Sequence, residues 1–328
     1  MPLITFREAL NQALAEEMER DDQVFLMGEE VGLFHGAYKV SAGLMERFGE
    51  HRVIDSPITE NSFVGLGIGA ANVGMRAVIE VMTFNFATLA LDQMMNNAAK
   101  LRYMSGGQFA CPMVLRGPNG AGGSLAAQHS QALEQQFVHI PGLKVIMPST
   151  PADAKGLLKA AIRDPDPVVF MESEKLYNYK GEVPEGEHVL PIGVGEVKHT
   201  GSDVTIVTYG RMYTHAVLPA IERLEAEEGI SVEVVDPRTL RPLDLDTILQ
   251  SVAKTNRMVL VEECWPQASV GAWICEQVYA KGFDLLDAPI ERLSHLDVPM
   301  PYARNLEDEV IPSPEKVVEA VKKVCYKR

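Results

Sequence analysis

The 328-residue sequence is short of several things. It has four cysteines, Cys111, Cys264, Cys275 and Cys325, scattered and without a Cys-x-x-Cys pair. That argues against a disulfide framework or a cysteine zinc site and favours a reducing compartment. Positive charge is scarce: 30 Lys and Arg stand against 45 Asp and Glu, a net charge of −15. A binder of free nucleic acid needs a basic face, so that class is not expected. Long apolar runs are missing as well. The uncharged stretch from Asn61 to Met75 ends at Arg76, short of the roughly 18 apolar residues of a membrane span. Met1 to Glu8 lacks the basic region and apolar core of a secretory signal, and a bacterial cytoplasm is the expected location, with an organelle matrix or stroma as the alternative. The glycine-rich stretch Arg116 to Gly123 contains no Gly-Lys-Ser/Thr and is no P-loop. Ser124 and Ser130 lack a nucleophile-elbow pattern, and His129 and His139 do not have zinc-ligand spacing.

What is present is an ordinary globular composition, 46% apolar and 23% charged. The length suggests two domains of about 150 residues each. Short β-branched or apolar runs alternate with helical spacing. Val24–Met27, Arg52–Asp55, Ala77–Val81, Met113–Leu115, Leu143–Ile146 and Val168–Met171 read as buried strands. Helices are expected over 3–20, 61–75, 87–104, 130–138 and 152–162. Residues 178–202 break the rhythm and read as a connection. Strands then return at Val204–Val207, Val232–Val235, Met258–Val261 and around Ile290, with helices near 213–226, 244–254, 270–281 and 314–324. The expected class is α/β: a doubly wound parallel sheet over 1–185, a linker over 186–202 and a second α/β domain over 203–328.

Ligands of open parallel sheets bind beyond the carboxyl ends of the strands. This directs attention to Gly28-Glu29-Glu30, Pro57-Ile58-Thr59-Glu60, Thr83-Phe84-Asn85-Phe86, and the loop from Arg116 to Ser130. Gly65-Leu66-Gly67-Ile68-Gly69-Ala70 matches the dinucleotide pattern G-x-G-x-x-A, which keeps a nicotinamide-dependent oxidoreductase in play. Yet Ile58 to Val64 separate the first glycine from the preceding strand, so these glycines are expected inside a helix packed on the sheet. Taken singly, Glu60 reads as a first-turn helix acid, His129 as a polar loop residue, and Phe84 and Phe86 as core. Composition and spacing alone stop at a two-domain α/β protein.

Longer strings go further. Gly28-Glu29-Glu30-Val31, Asp55-Ser56-Pro57-Ile58-Thr59-Glu60, Met82-Thr83-Phe84-Asn85-Phe86, Arg116-Gly117-Pro118-Asn119-Gly120 and Ala126-Ala127-Gln128-His129-Ser130-Gln131 occur in order. Val235-Asp236-Pro237-Arg238-Thr239-Leu240-Arg241-Pro242-Leu243 and Asp297-Val298-Pro299-Met300-Pro301-Tyr302-Ala303 continue the series. Together they resemble the beta subunit of the thiamine-diphosphate-dependent, decarboxylating component of 2-oxo acid dehydrogenase complexes. The Arg-Gly-Pro-Asn-Gly and Ala-Gln-His-Ser-Gln strings look like the pyruvate branch more than the branched-chain one, with an acetoin-cleaving dehydrogenase as a further alternative.

The resemblance implies a pyrimidine-type thiamine-diphosphate-binding domain followed by a transketolase C-terminal-like domain. It implies that Glu60 shares a proton with the cofactor's pyrimidine ring. Phe86 would pack on that ring, with Ile58 and Met82 lining the same pocket. His129 would donate a proton during reductive acetylation of lipoamide, with stabilisation of a substrate intermediate as its rival role. Glu29 matches an acid of a proton relay between paired active sites. Backbone oxygens of Ala161, Ile162, Asp164 and Asp166 match a monovalent-cation (K⁺) site of some relatives. The family's Gly-Asp-Gly motif for Mg²⁺ and diphosphate occurs nowhere in this sequence. The resemblance therefore implies an alpha subunit that holds Mg²⁺, an α₂β₂ heterotetramer, a lipoyl-bearing acyltransferase core as further partner, and pyruvate as substrate.

Overall fold

A computed structural model describes residues 1–327. The chain divides into two compact units, Met1–Asn119 with Gln136–Ile192, and Gly120–Gln135 with Gly193–Arg328.

The first unit is built on strands β1 (Leu3–Thr5), β2 (Val24–Gly28), β3 (Val53–Asp55), β4 (Arg76–Glu80), β5 (Met113–Pro118), β6 (Lys144–Ile146), β7 (Val168–Glu172) and β8 (Lys180–Glu182). Six of them form a parallel array in the order β6-β7-β5-β4-β2-β3. The non-sequential order requires helical crossovers, and near-continuous burial along β2, β4, β5 and β7 is the mark of a sheet covered on both faces. One cover is the pair of helices Phe6–Arg20 and Pro151–Arg163, which pack on each other. Phe6, Leu10, Leu14 and Met18 are fully buried against Leu157, Leu158 and Ile162; burial of each such side chain is worth about 1.5–3 kcal/mol.

Both helices start for local reasons. Thr5 Oγ1 accepts from Glu8 N at 3.2 Å while Glu8 Oε2 accepts from Thr5 N at 2.7 Å, a reciprocal cap. Thr150 caps the second helix, with Pro151 in its first turn. Their polar seam is paired: Glu16 bonds Lys155 at 2.7 Å and Lys159 at 2.8 Å, and the buried Glu17 bonds Arg163 at 2.6 Å.

The second unit contains β9 (Glu196–His199), β10 (Val204–Thr208), β11 (Val232–Asp236), β12 (Thr239–Arg241), β13 (Met258–Val261) and β14 (Glu291–Leu293). Five strands pair in the order β14-β13-β10-β11-β9, all parallel except β9, which runs antiparallel to β11. Its core joins Val204, Ile206, Val232, Val234, Val259 and Val261 to Ala216, Ala220, Val317 and Val321. Pro314–Val324 is the expected last helix, capped by Ser313.

The parallel α/β class and most expected strands are present, with ends shifted by up to three residues. Four expectations differ. Leu3–Thr5, expected as the start of the first helix, is strand β1 paired with β8, and the helix begins at Phe6 after its Thr5 cap. Residues 178–202 contain β8 and β9; these are short edge strands, with burial too irregular to give an apolar alternation. The helix expected over 87–104 is broken into the turn Phe84–Ala87, tighter and wider turns, and Leu101–Met104. Asn96 donates to Asp92 and Asn97 donates to Gln93, each a side-chain hydrogen bond four residues apart, and such side chains compete with regular helix. The helix expected over 213–226 widens at Tyr213–Val217, just ahead of Pro219, which has no N–H for the preceding turn.

Candidate active site

The register aligns the carboxyl ends of four neighbouring strands. Gly28 faces Asp55 on one side and Glu80 on the other, and Glu80 faces Arg116. Residues just past these ends therefore gather along one edge. Glu29 follows β2, Glu60 opens the helix Glu60–Asn72 after β3, and Met82 and Phe86 follow β4. Gly28 is required by the crowding: a Cβ there would lie 3.0 Å from both Glu80 Cβ and Val31 Cγ1, with the Glu80 carbonyl closer still.

Glu29 and Glu60 are each 4% exposed. One Glu29 oxygen, Oε1, is buried with no hydrogen-bond partner among the described residues, and a hydrogen bond from the Met82 N–H falls on the carboxylate. Burial first, then the Glu60 carboxylate, then Glu80 push Glu29 up to about 7, against the opposing Met82 bond. Phe86 and Met82 are half-buried and Ile58 is exposed. Phe84, by contrast, is fully buried, edge-on to Phe137 with ring centroids 5.4 Å apart. The structure thus brings Glu29, Glu60, Met82 and Phe86 to one strand edge, with Ile58 on the loop that enters it.

Sequence reasoning missed what lies beneath. Arg116, 1% exposed, is gripped by two acids. Its Nε and Nη2 bond the two oxygens of Glu172 at 2.6 Å each, its Nη1 bonds Glu80, and Tyr177 Oη donates to Glu172 at 2.7 Å. The two carboxylates hold the guanidinium above its usual range, whereas burial dominates at Glu80 and raises it. The only signal was an arginine directly after the apolar run Met113–Leu115; the structure extends that strand to Pro118 and so buries Arg116, a position that demands a paired acid. This pairing also occupies Glu80, the acid at the end of the strand after Gly65–Ala70, where a dinucleotide site would need one for the ribose. Gly65, Gly67 and Gly69 all lie inside the helix Glu60–Asn72, and a Cβ on Gly67 would meet Ile79 at 2.6 Å. Gly67 alone packs helix on sheet, Gly65 abuts the Gln93 side chain and Gly69 faces open space; none of them forms a strand-to-helix turn.

His129 lies in the second unit, exposed, with its N–H donating to Ala126 O at 3.3 Å. The oxygens expected for a monovalent cation lie at the end of Pro151–Arg163. Arg76 Nη1 donates to Ile162 O at 3.0 Å and Asp164 O at 3.4 Å, Asp164 N donates to Ala161 O at 3.3 Å, and Lys144 Nζ bonds the Asp164 carboxylate at 2.6 Å. Asp166 pairs with Arg102. Among the described residues no group of three His, Cys, Asp or Glu is arranged to hold a metal ion, and no helix is long and apolar enough to cross a membrane.

Residues 3–180 match the transketolase pyrimidine binding domain family and residues 193–317 match the transketolase C-terminal domain family. The fold is therefore that of a transketolase-type chain of a thiamine-diphosphate-dependent family. A split gene transketolase, an inactive beta4 tetramer, shares the fold with a TM-score of 0.80 at 24% identity over 99% of both chains. In sequence the chain is 56% identical to the pyruvate dehydrogenase E1 component subunit beta of Rhizobium meliloti (strain 1021), over 100% of this chain and 71% of that one. It is 54% identical to the corresponding subunit of Rickettsia felis, over 98% of each. It is 52% identical to the mitochondrial subunit beta-2 of Oryza sativa subsp. japonica, over 99% of this chain and 87% of that one. The chain belongs to the family of pyruvate dehydrogenase E1 component beta subunits.

Proposed function

We propose that this chain, together with an alpha subunit, catalyses thiamine-diphosphate-dependent oxidative decarboxylation of pyruvate with reductive acetylation of lipoamide. The observation that carries the reading is the pair of buried acids, Glu29 and Glu60, at the edge where a parallel sheet receives ligands. These residues suit the pyrimidine end of the cofactor. The Glu60 carboxylate is buried at this edge, and the unpartnered Glu29 oxygen is an acceptor beside it. The bound cofactor supplies the nucleophilic carbon that attacks a 2-oxo acid.

In this reading Glu60 shares a proton with the far pyrimidine nitrogen and so favours the tautomer whose amino group acts as base. Phe86 packs on the ring, and Met82 and Ile58 line its flank. The exposure of Ile58 suits a pocket that a second chain completes. Glu29, titrating near neutrality, is poised to hold or release a proton beside Glu60. His129 donates a proton when the acetyl group passes to the lipoyl sulfur.

Mg²⁺ and the diphosphate fall to the alpha subunit, and an α₂β₂ assembly feeding a lipoyl-bearing core follows. The monovalent cation at Ala161, Ile162, Asp164 and Asp166 is part of the proposal. The two aspartate carboxylates are already paired with Lys144 and Arg102, so what supports the site is that each carbonyl bonded by Arg76 keeps a second lone pair. A higher Tm in potassium than in tetramethylammonium chloride at equal ionic strength tests it. Residues 1–185 and 203–328 are proposed as the functional domains. The four free cysteines suit a reducing location such as a bacterial cytoplasm.

The test is Glu60→Gln in the co-purified α–β assembly, with pyruvate decarboxylation coupled to an artificial electron acceptor. A loss of about 10²–10⁴-fold is expected for a removed proton-transfer group; unchanged turnover removes Glu60 from the chemistry. The same assay with branched-chain 2-oxo acids and acetoin separates the substrates. Tight binding of a nicotinamide cofactor by the chain alone would replace the reading altogether.

A further inference from the structure

The segment Gly120–Gln135, which carries His129, is fastened within the second unit by buried ionic groups. Glu263, just past β13, is 3% exposed. Its Oε1 accepts from Ala121 N at 2.6 Å and its Oε2 accepts from Arg211 Nε at 2.8 Å. Arg211, 2% exposed, donates from Nη1 to Ala121 O at 3.2 Å. A single residue, Ala121, thus has both its N–H and its C=O held by one buried ion pair. Gly120, at φ +82°, leaves room for it: a Cβ there would lie 2.5 Å from the Glu263 carboxylate.

Three residues further on, Glu307 (3% exposed) accepts from Ser124 N at 2.6 Å. Ser124 and Ala126 adopt φ of +55° and +63°, left-handed conformations that cost a side-chain-bearing residue about 1–3 kcal/mol and persist only where surroundings enforce them. At the far end Cys264 Sγ donates to Gln135 Oε1 at 3.1 Å. His129 stands exposed between these fastenings. A loop that only connects has its backbone groups met by water; here buried charges meet them and impose strain.

We propose that Glu263, Arg211 and Glu307 are positioning residues that hold the His129 loop in one conformation for proton delivery during acetyl transfer to lipoamide. This rests on the role given to His129 above. The three touch backbone and one another and need no contact with substrate. Their loss is therefore expected to impair the lipoyl-linked step and to spare decarboxylation.

The experiment compares Glu307→Ala, Glu307→Gln, Arg211→Lys and His129→Ala in the α–β assembly. Amide hydrogen exchange over 120–130 reads the clamp directly. Rates with a lipoyl-bearing partner and with an artificial electron acceptor read its consequence. In Glu307→Ala, exchange at the Ser124 peptide is expected to rise about tenfold and the lipoyl-linked rate to fall about tenfold, with the acceptor-linked rate within about twofold. Glu307→Gln keeps an acceptor oxygen and recovers most of the loss. Arg211→Lys keeps the charge but not the two-point grip, and carries the same test if Glu307→Ala fails to assemble. Unchanged exchange overturns the clamp. Faster exchange with both rates falling equally, or neither falling, overturns positioning. A full lipoyl-linked rate in His129→Ala removes the role of His129 itself, whereas an impaired His129→Ala beside a normal Glu307→Ala removes only the clamp.

Discussion

Replacing Glu29 by Gln should stabilise the protein, and only above a defined pH. In the folded chain Glu29 is raised from its ordinary 4.5 to about 7 by burial and by Glu60. The folded state therefore keeps a proton that the unfolded chain has already released. Between pH 4.5 and 7 the folded state binds more protons, so wild-type stability falls as pH rises through this window. Gln cannot ionise and escapes the loss. A rise from 4.5 to about 7, at about 1.36 kcal/mol per pH unit, sets a ceiling near 3 kcal/mol. Solvent screening and relaxation around the site reduce this to about 1–2 kcal/mol. The amide also preserves the carbonyl that accepts from Met82. Thermal melts of both proteins at pH 5 to 9 provide the assay. The variant's advantage should be small at pH 5, grow through pH 6 and 7, and level off at roughly 2–6 °C in Tm above pH 8. A difference that does not vary with pH, or a variant less stable than wild type at pH 8, would refute the account of the acid pair.

Arg116→Met should cost at least about 3 kcal/mol in urea unfolding, because it leaves Glu80 and Glu172 buried without their cation; Arg116→Lys should recover only part, since an ammonium cannot match the two-pronged contact. Gly67→Ala and Gly69→Ala should act in opposite directions. A methyl on Gly69 enters open space and should stabilise the helix by about 0.5–1 kcal/mol, whereas on Gly67 it strikes Ile79 and should destabilise by about 1–3 kcal/mol in the same melts. Thr5→Ala should lower the urea midpoint by the equivalent of about 1 kcal/mol, with an unchanged slope, through loss of the reciprocal cap with Glu8.

The core of the fold was legible because its strands are buried on both faces. Met258–Val261 and Val204–Thr208 carry four or five consecutive buried residues, and such runs announce themselves in sequence. Strands β8 and β9 did not, since an edge strand takes its conformation from a neighbour and needs no apolar pattern of its own. Glu29 and Glu60 could be located from the rule that ligands sit past strand ends, but their chemistry came only through family resemblance. The sequence shows two glutamates; it does not show that both are buried and that one oxygen lacks a donor. Arg116 with Glu80 and Glu172 is legible only in part. The arginine in a buried strand asks for partners, but partners 36 and 56 residues away are chosen by strand order. The same holds for Glu263 and Glu307, whose clients Ala121 and Ser124 lie 142 and 183 residues earlier.

The membership of Gly120–Gln135 in the second unit bears on how this protein can be taken apart. A single cut near Gly193 yields two fragments, but neither is a whole unit. The C-terminal fragment would carry Glu263 and Arg211 without Ala121, and Glu307 without Ser124. Its buried charges would face solvent with their amide and carbonyl partners gone. Expressing the second unit alone therefore calls for a rewired chain, with 120–135 spliced onto the front of 193–328. A gene divided at the apparent boundary would encode halves that regain their contacts only when both are present in the same solution.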